Sequence, residues 1–198
     1  MNLKILPLFT LVLVLIGCQM SQIQSDDLSP VDIAGTRDKP ATVIVVTGEA
    51  HHGISPSKVF FVGSTATVVP SAGNPNWAFG AQDQIEFGRH FAQELERNGT
   101  FPSVVFDKTI EDGYTVTIKF KRTIQYRDVS QYDFHLAMEI VSEGETQFDK
   151  DYVVEGEYGL KDFLIETTTR AGKAREASKL MSILMGDIQT WLQQSDSN

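Results

Sequence analysis

From Tyr114 to Val154 apolar and polar residues alternate almost without a break, and no other feature of the 198-residue chain limits its fold so tightly. Tyr114, Val116, Ile118, Phe120, Ile124 and Tyr126 are interleaved with Thr115, Thr117, Lys119, Lys121, Thr123 and Gln125. A β-strand turns successive side chains to opposite faces, so this stretch reads as one long strand with a core face and a wet face. After a polar turn at 127–131, Tyr132, Phe134, Leu136, Met138 and Ile140 stand opposite Asp133, His135 and Glu139. A second turn at Ser142-Glu143-Gly144-Glu145 leads into Phe148, Tyr152 and Val154, opposite Asp149 and Asp151. Three alternating strands joined by short polar turns predict an antiparallel β-meander with one apolar face.

That face has to be covered. Ala174, Ala177, Leu180, Met181, Leu184, Ile188, Trp191 and Leu192 recur at steps of three and four, with Arg175, Glu176, Lys179, Ser182 and Gln189 on the other side. This spacing predicts a long C-terminal helix packed on the sheet. Ile85, Gly88, Phe91, Ala92 and Leu95 predict a second helix over 82–98, stopped by Asn98-Gly99 and followed by a strand over 101–106. Ahead of it, 41–47 is a β-branched run suited to a buried strand, 58–62 and 65–69 suggest a hairpin, and 71–80 reads as a loop. The fold class is therefore α+β, an antiparallel β-meander sheet with a mid-chain helix and a long C-terminal helix on one face.

The N-terminus has one positive charge, Lys4, then a short apolar run from Ile5 to Ile16 and a small residue, Gly17, before Cys18. This is the pattern of a secretory signal, and it is too short to span a bilayer, which takes about 20 apolar residues. Leu15-Ile16-Gly17-Cys18 resembles the bacterial lipobox, in which the cysteine is acylated and becomes the first residue of the mature chain. The resemblance implies a lipidated Cys18 as the membrane partner, and Gln19 after it implies the outer membrane. Cys18 is the only cysteine, so no intramolecular disulfide can form. Residues 18–40, rich in Gln, Ser and Asp, read as a flexible tether that holds the domain about 25 Å from the bilayer. The organisation expected is 1–17 signal peptide, 18–40 lipidated cysteine and tether, and 41–198 one α+β periplasmic domain. A formal net charge of −9 argues against nucleic acid as a partner.

Together with the lipobox, Leu95-Glu96-Arg97-Asn98-Gly99-Thr100-Phe101 and the stretch from Tyr126 through Tyr152-Val153-Val154-Glu155-Gly156 resemble small bacterial envelope lipoproteins of the YajG type. More loosely, they resemble LptE-like and PelC-like assembly lipoproteins. The resemblance implies an accessory or assembly role through contacts with an envelope protein. The long polar insertion between Gly48 and Gly80 departs from the short YajG-like pattern.

Catalytic motifs are not evident. Gly63-Ser64-Thr65 lacks the Gly-x-Ser-x-Gly frame that presents a strained nucleophile, and Ala171-Gly172-Lys173-Ala174 lacks the glycine and hydroxyl of a phosphate loop. No pattern calls for a cofactor. Glu49, His51 and His52 are the metal candidates, but zinc sites draw three or four ligands and no further Cys or spaced His follows, while His90 and His135 read as solvated surface residues. Glu143 and Glu145 flank a turn glycine and read as a hairpin tip. Trp77 and Phe79, in Asn74-Pro75-Asn76-Trp77-Ala78-Phe79-Gly80, are the candidate partner-binding residues, against the alternative that they tuck under the sheet edge. Two classes follow: a noncatalytic accessory lipoprotein, or a ligand carrier or enzyme acting on cell-wall or lipid material with a pocket under the 48–80 loop.

Overall fold

A computed structural model describes residues 22–53, 79–126, 131–156 and 169–195. Among these, six strands form one mixed sheet with two helices on one face, an α+β fold. The elements are β1 (Ala41–Val46), β2 (Glu49–Gly53), α1 (Ala81–Arg97), β3 (Val104–Phe106), β4 (Tyr114–Tyr126), β5 (Gln131–Ser142), β6 (Glu145–Val154) and α2 (Thr169–Ser195).

The meander stands as β4-β5-β6, antiparallel throughout. Its β5–β6 turn has φ of 55° at Glu143 and 79° at Gly144, the two positive angles that a right-twisted two-residue hairpin requires. On the other flank the sheet is parallel, in the order β3-β1-β4-β5-β6. Parallel neighbours need a long crossover, and α1 lies within the connection from β2 to β3. β1 and β2 lie end to end along β4, pairing Ala41–Val46 with Tyr114–Lys119 and Glu49–Gly53 with Arg122–Tyr126. The loop expected around Glu49, His51 and His52 is thus a strand. The break between them sits where β4 bulges, between Phe120 and Arg122. Gly48 fits against that bulge because a Cβ there would lie 2.3 Å from the Phe120 carbonyl oxygen.

The bulge corrects the expected facing of β4. One extra residue inverts every side chain beyond it. Val116, Ile118 and Phe120 are buried as expected, but past Lys121 it is Thr123 and Gln125 that turn inward, and Ile124 is only half-buried. Thr123 meets the cost by donating to the Phe79 carbonyl at 2.8 Å. The hairpin expected at 58–62 and 65–69 lies outside the described residues.

The inner face of the sheet carries Ala41, Val43, Val116, Ile118, Phe120, Phe134, Leu136, Met138 and Ile140. α1 covers β1 and β3, setting Phe87, Phe91 and Leu95 into the core, and α2 covers β5 with Leu180, Leu184 and Ile188. Close packing of α1 depends on Gly88, where a Cβ would stand 2.0 Å from Val45 Cγ2.

Residues 22–40 are the main departure from expectation. They pack on the domain instead of hanging free of it. Ile23 and Leu28 are buried, and Ser25–Asp27 form a short 3₁₀ turn. From Val31 to Lys39 odd positions face inward and even ones face water, the period of an extended strand. With no strand beside it among the described residues, this strap satisfies its main chain through side chains: Val31 N–H donates to Glu94 at 2.9 Å and Ile33 N–H to Asn98 at 2.9 Å. On its other side Ser29 N–H bonds Ser178, and the Arg37 guanidinium lies 4.5 Å from the Trp191 ring centre. The strap thus fills the seam between α1 and α2, and packing on the domain is seen from Ile23 onward among the described residues.

Candidate functional site

At one edge of the sheet, α1 and β3 leave an open groove of about 490 Å³ between them. Its walls are Ile85, Arg89, Ala92, Gln93 and Glu96 from α1 and Val104, Phe106 and Asp107 from β3. Positions 85, 89, 92, 93 and 96 share a helix face by their spacing of three and four. Val104 and Phe106 face the groove because they pair in register with Ala41 and Val43, which point inward. Asp107 is an odd position and would face the other way in a regular strand. Its φ of 54° ends the strand and brings the residue into the lining.

The charges around the groove are unequal in freedom. Arg89 is held by both carboxylate oxygens of Glu86 at 2.7 Å, and its guanidinium lies 5.5 Å from the Phe106 ring centre. Glu96 and Asp107 are exposed, and neither side chain takes part in a hydrogen bond or ion pair among the described residues. The groove therefore sets apolar Ile85, Ala92, Val104 and Phe106 among polar Arg89 and Gln93, with a carboxylate toward each end.

At the other end of α1 lies a buried polar knot that is structural. Asp83, in the first turn of α1, accepts Lys173 Nζ at 2.6 Å and the Ile23 main-chain N–H at 3.1 Å. It joins α1, α2 and the strap in one contact, with Lys173 only 1% exposed. Beside it the Gln84 side chain accepts from Gly48 N–H at 2.8 Å and donates to the Phe79 carbonyl at 3.2 Å. These partners are sixty or more residues apart for Asp83, so no sequence motif announces them.

Two further groups are shifted in their titration. Burial works to raise the Glu94 carboxyl, but hydrogen bonds from Arg97 and the Val31 N–H outweigh it and hold the group below its ordinary range. Burial, followed by the hydrogen bond to Asp187 at 2.7 Å, pushes the Tyr152 hydroxyl far above its ordinary range. Both serve contacts between elements, Glu94 holding the strap to α1 and Tyr152 holding β6 to α2.

The sequence-derived candidates scatter. Phe79 is 1% exposed, its ring 5.0 Å from Phe134 and 6.2 Å from Phe120, so it belongs to the core and is withdrawn from any partner surface. The reason is the bulge: past it the inner face is polar and the Phe79 ring fills the space over Phe120 and Phe134. Trp77 and Cys18 lie outside the described residues. Glu49 and His51 are exposed and bonded to one another at 2.9 Å, and His52 follows His51 in β2. Among the described residues no three His, Cys, Asp or Glu gather as metal ligands would. His90 is buried against Glu94, at 3.9 Å, and is not a solvated surface residue. The groove at β3 went unforeseen. Its one sequence signal is the bare run Val104-Val105-Phe106 beside a helix with a polar outer face.

No protein-family model matches the chain, and no curated protein matches it by sequence. Among solved structures it is similar to protein XCC0632 from Xanthomonas campestris, described as a DUF330 protein, with a TM-score of 0.52 and 12% identity over 86% of this chain and 95% of that one. The likeness is one of fold. A second, described only as an uncharacterized protein, has a TM-score of 0.44 and 9% identity over 82% of this chain and 97% of the other.

Proposed function

We propose that the chain is a lipid-anchored lipoprotein of the bacterial envelope, held by Cys18 at the periplasmic face of the outer membrane. It works without catalysis, as an accessory or assembly factor through protein–protein contacts. The observation that carries this reading is Leu15-Ile16-Gly17-Cys18 at the end of a short apolar run. The fold lends support. The buried ionic groups Asp83, Lys173 and Glu94 are engaged in tying elements together, and the open site at β3 has the build of a docking groove. Among the described residues no helix is long and apolar enough to cross a membrane.

The packed strap alters how such an anchor would act. Gln22, the first described residue, is four positions past Cys18. At roughly 3.5 Å per residue the connection reaches at most about 14 Å, little more than half the stand-off expected of a free 22-residue tether. The end of the domain held near lipid is then the one carrying Ile23, Asp83 and Lys173.

Lipid labelling decides the matter. In a bacterium with two membranes, fed an alkyne fatty acid, the wild-type chain should take up label and sediment with outer membrane, and Cys18→Ala should do neither. Label retained by Cys18→Ala would refute the assignment.

A further inference from the structure

We propose that β3 and the groove beside it receive an extended segment of a partner protein as an added strand, with the pattern basic–any–aliphatic–any–basic. This rests on the reading of the chain as a protein-binding factor and names the surface and the chemistry of what it binds.

The main chain of β3 is the first argument. Ala41 N–H bonds the Ser103 carbonyl and Asp107 N–H bonds the Val43 carbonyl, both at 2.9 Å. Successive residues of a strand aim their main-chain groups to opposite sides, so 103, 105 and 107 face β1 while Val104 and Phe106 face outward. Among the described residues no strand pairs with that side of β3, so two N–H and two C=O groups stand along a sheet edge, ready for an incoming strand.

The contrast between the two ends of the sheet is the second. β6, at the far end, is guarded: it bulges near Ile140 and Val141 of its partner and carries Asp149, Lys150 and Asp151 in succession. Charges and bulges are the usual means of preventing strand addition. β3 has neither, only Val104, Val105 and Phe106.

Geometry and charge fix the occupant. Alternate residues of an added strand would point into the groove between β3 and α1, the central one over Ile85 and Ala92, where an aliphatic side chain fits. The residues two before and two after it reach the groove ends, near Glu96 and Asp107. From Val104 to Asp107 is three residue steps, about 10 Å, and the two flanking positions of the added strand are about 13 Å apart. Lys or Arg at both spans the two carboxylates easily. Arg89, already neutralised by Glu86, adds no repulsion at short range.

The test uses the full chain carrying Cys18→Ala, in detergent micelles, with the capped peptide Lys-Ser-Val-Ser-Lys as probe and NMR as readout. Bound peptide should slow hydrogen exchange at the Val104 and Phe106 amides and leave Val105 unchanged. Glu96→Lys should weaken binding about fivefold, the scale of losing one exposed ion pair and gaining a like-charge contact. Val104→Pro removes one outward N–H and should weaken binding with the β1 ladder intact. Gln93→Tyr, at an exposed position, should block the groove even if the proline variant fails to fold. Unchanged exchange at Val104 and Phe106 under millimolar peptide would overturn the proposal. So would tighter binding of Glu-Ser-Val-Ser-Glu, or protection of the same amides that grows with protein concentration in the absence of peptide, which would assign the edge to a second copy of the chain. Since Cys18→Ala carries no lipid, these results are independent of the labelling experiment, and either idea can fail alone.

Discussion

Gly88→Ala sets two effects of known size against each other. Alanine in place of glycine inside a helix gains about 1 kcal/mol from propensity. The new methyl, however, would be built 2.0 Å from Val45 Cγ2, 3.4 Å from Val45 Cβ and 3.1 Å from Phe106 Cε2. Two of these are on one side chain of β1, so either Val45 leaves its rotamer or α1 lifts from the sheet. Overpacking of this kind costs about 1–3 kcal/mol, which exceeds the propensity gain, and the variant should be less stable by up to about 2 kcal/mol. Val45→Ala removes the atom in the way. In that background Gly88→Ala should become stabilising, and the double-mutant cycle in urea should show a coupling of about 1–3 kcal/mol. Stabilisation by Gly88→Ala alone, or a coupling under about 0.5 kcal/mol, would refute the claim that α1 seats on β1 through Gly88.

Lys173→Met leaves the Asp83 carboxylate buried with one partner fewer, and should cost about 3–5 kcal/mol in urea denaturation; adding Asp83→Leu should recover only part, because the Ile23 N–H then loses its acceptor. Glu94 titrates low in the fold, so its contribution is fully present above its ordinary value near 4.5 and is lost as pH falls through the folded value. Denaturation curves between pH 6 and 3 should steepen in their loss of stability below about pH 4.5 in the wild type and less so in Glu94→Gln. A chain begun at Ala41 loses buried Ile23 and Leu28, each worth about 1.5–3 kcal/mol, and the Arg170–Asp27 pair, against a total stability of about 5–15 kcal/mol. It should melt far below a chain begun at Gln22 in a thermal scan.

What the sequence disclosed was set by the range over which its signals act. Period two at the apolar positions Tyr132 to Ile140 of β5 and the helical spacing of Leu180, Leu184 and Ile188 are local, and these residues are buried as expected, although Asp133, expected to face water, is buried too. The same rule failed in β4 beyond Phe120, because a bulge is a relation between two strands and changes which face a residue takes without changing the residue. Parallel pairing of β1 with β3 and β4 leaves no mark in the alternation at all. In the strap, Val31 and Ile33 do alternate with Asp32 and Ala34, but the run is short and the rest of its inward positions are Gly35, Arg37 and Lys39. Hydrophobic pattern cannot see a strand whose main chain is satisfied by Glu94 and Asn98 from a helix more than sixty positions away. Of the two readings of the aromatic loop, Phe79 takes the one in which it tucks against the sheet, and its place over Phe134 depends on the bulge, which no local pattern marks.

The strap also bears on how an anchored domain would present its groove. Ile23 meets α1 at Asp83, Val31 meets it at Glu94, and Arg37 N–H reaches the Thr100 carbonyl just past its end. Strap and helix therefore run side by side in the same direction, away from residue 22, and the 17 residues of α1 extend about 25 Å. Arg170 of α2 bonds Asp27 near the start of the strap, so both helices begin at the end nearest residue 22. A lipid on Cys18 would then be joined to the first turns of α1 and α2 by a connection too short to let the domain turn over. The groove, which follows α1 from Ile85 to Glu96, would stand alongside the axis leading away from the membrane, with its Glu96 end farthest out. A partner segment adding to β3 would meet the Glu96 end first if it came from the periplasm. Charge reversal at Glu96 should therefore slow capture more than charge removal at Asp107, even where the two lower equilibrium affinity alike.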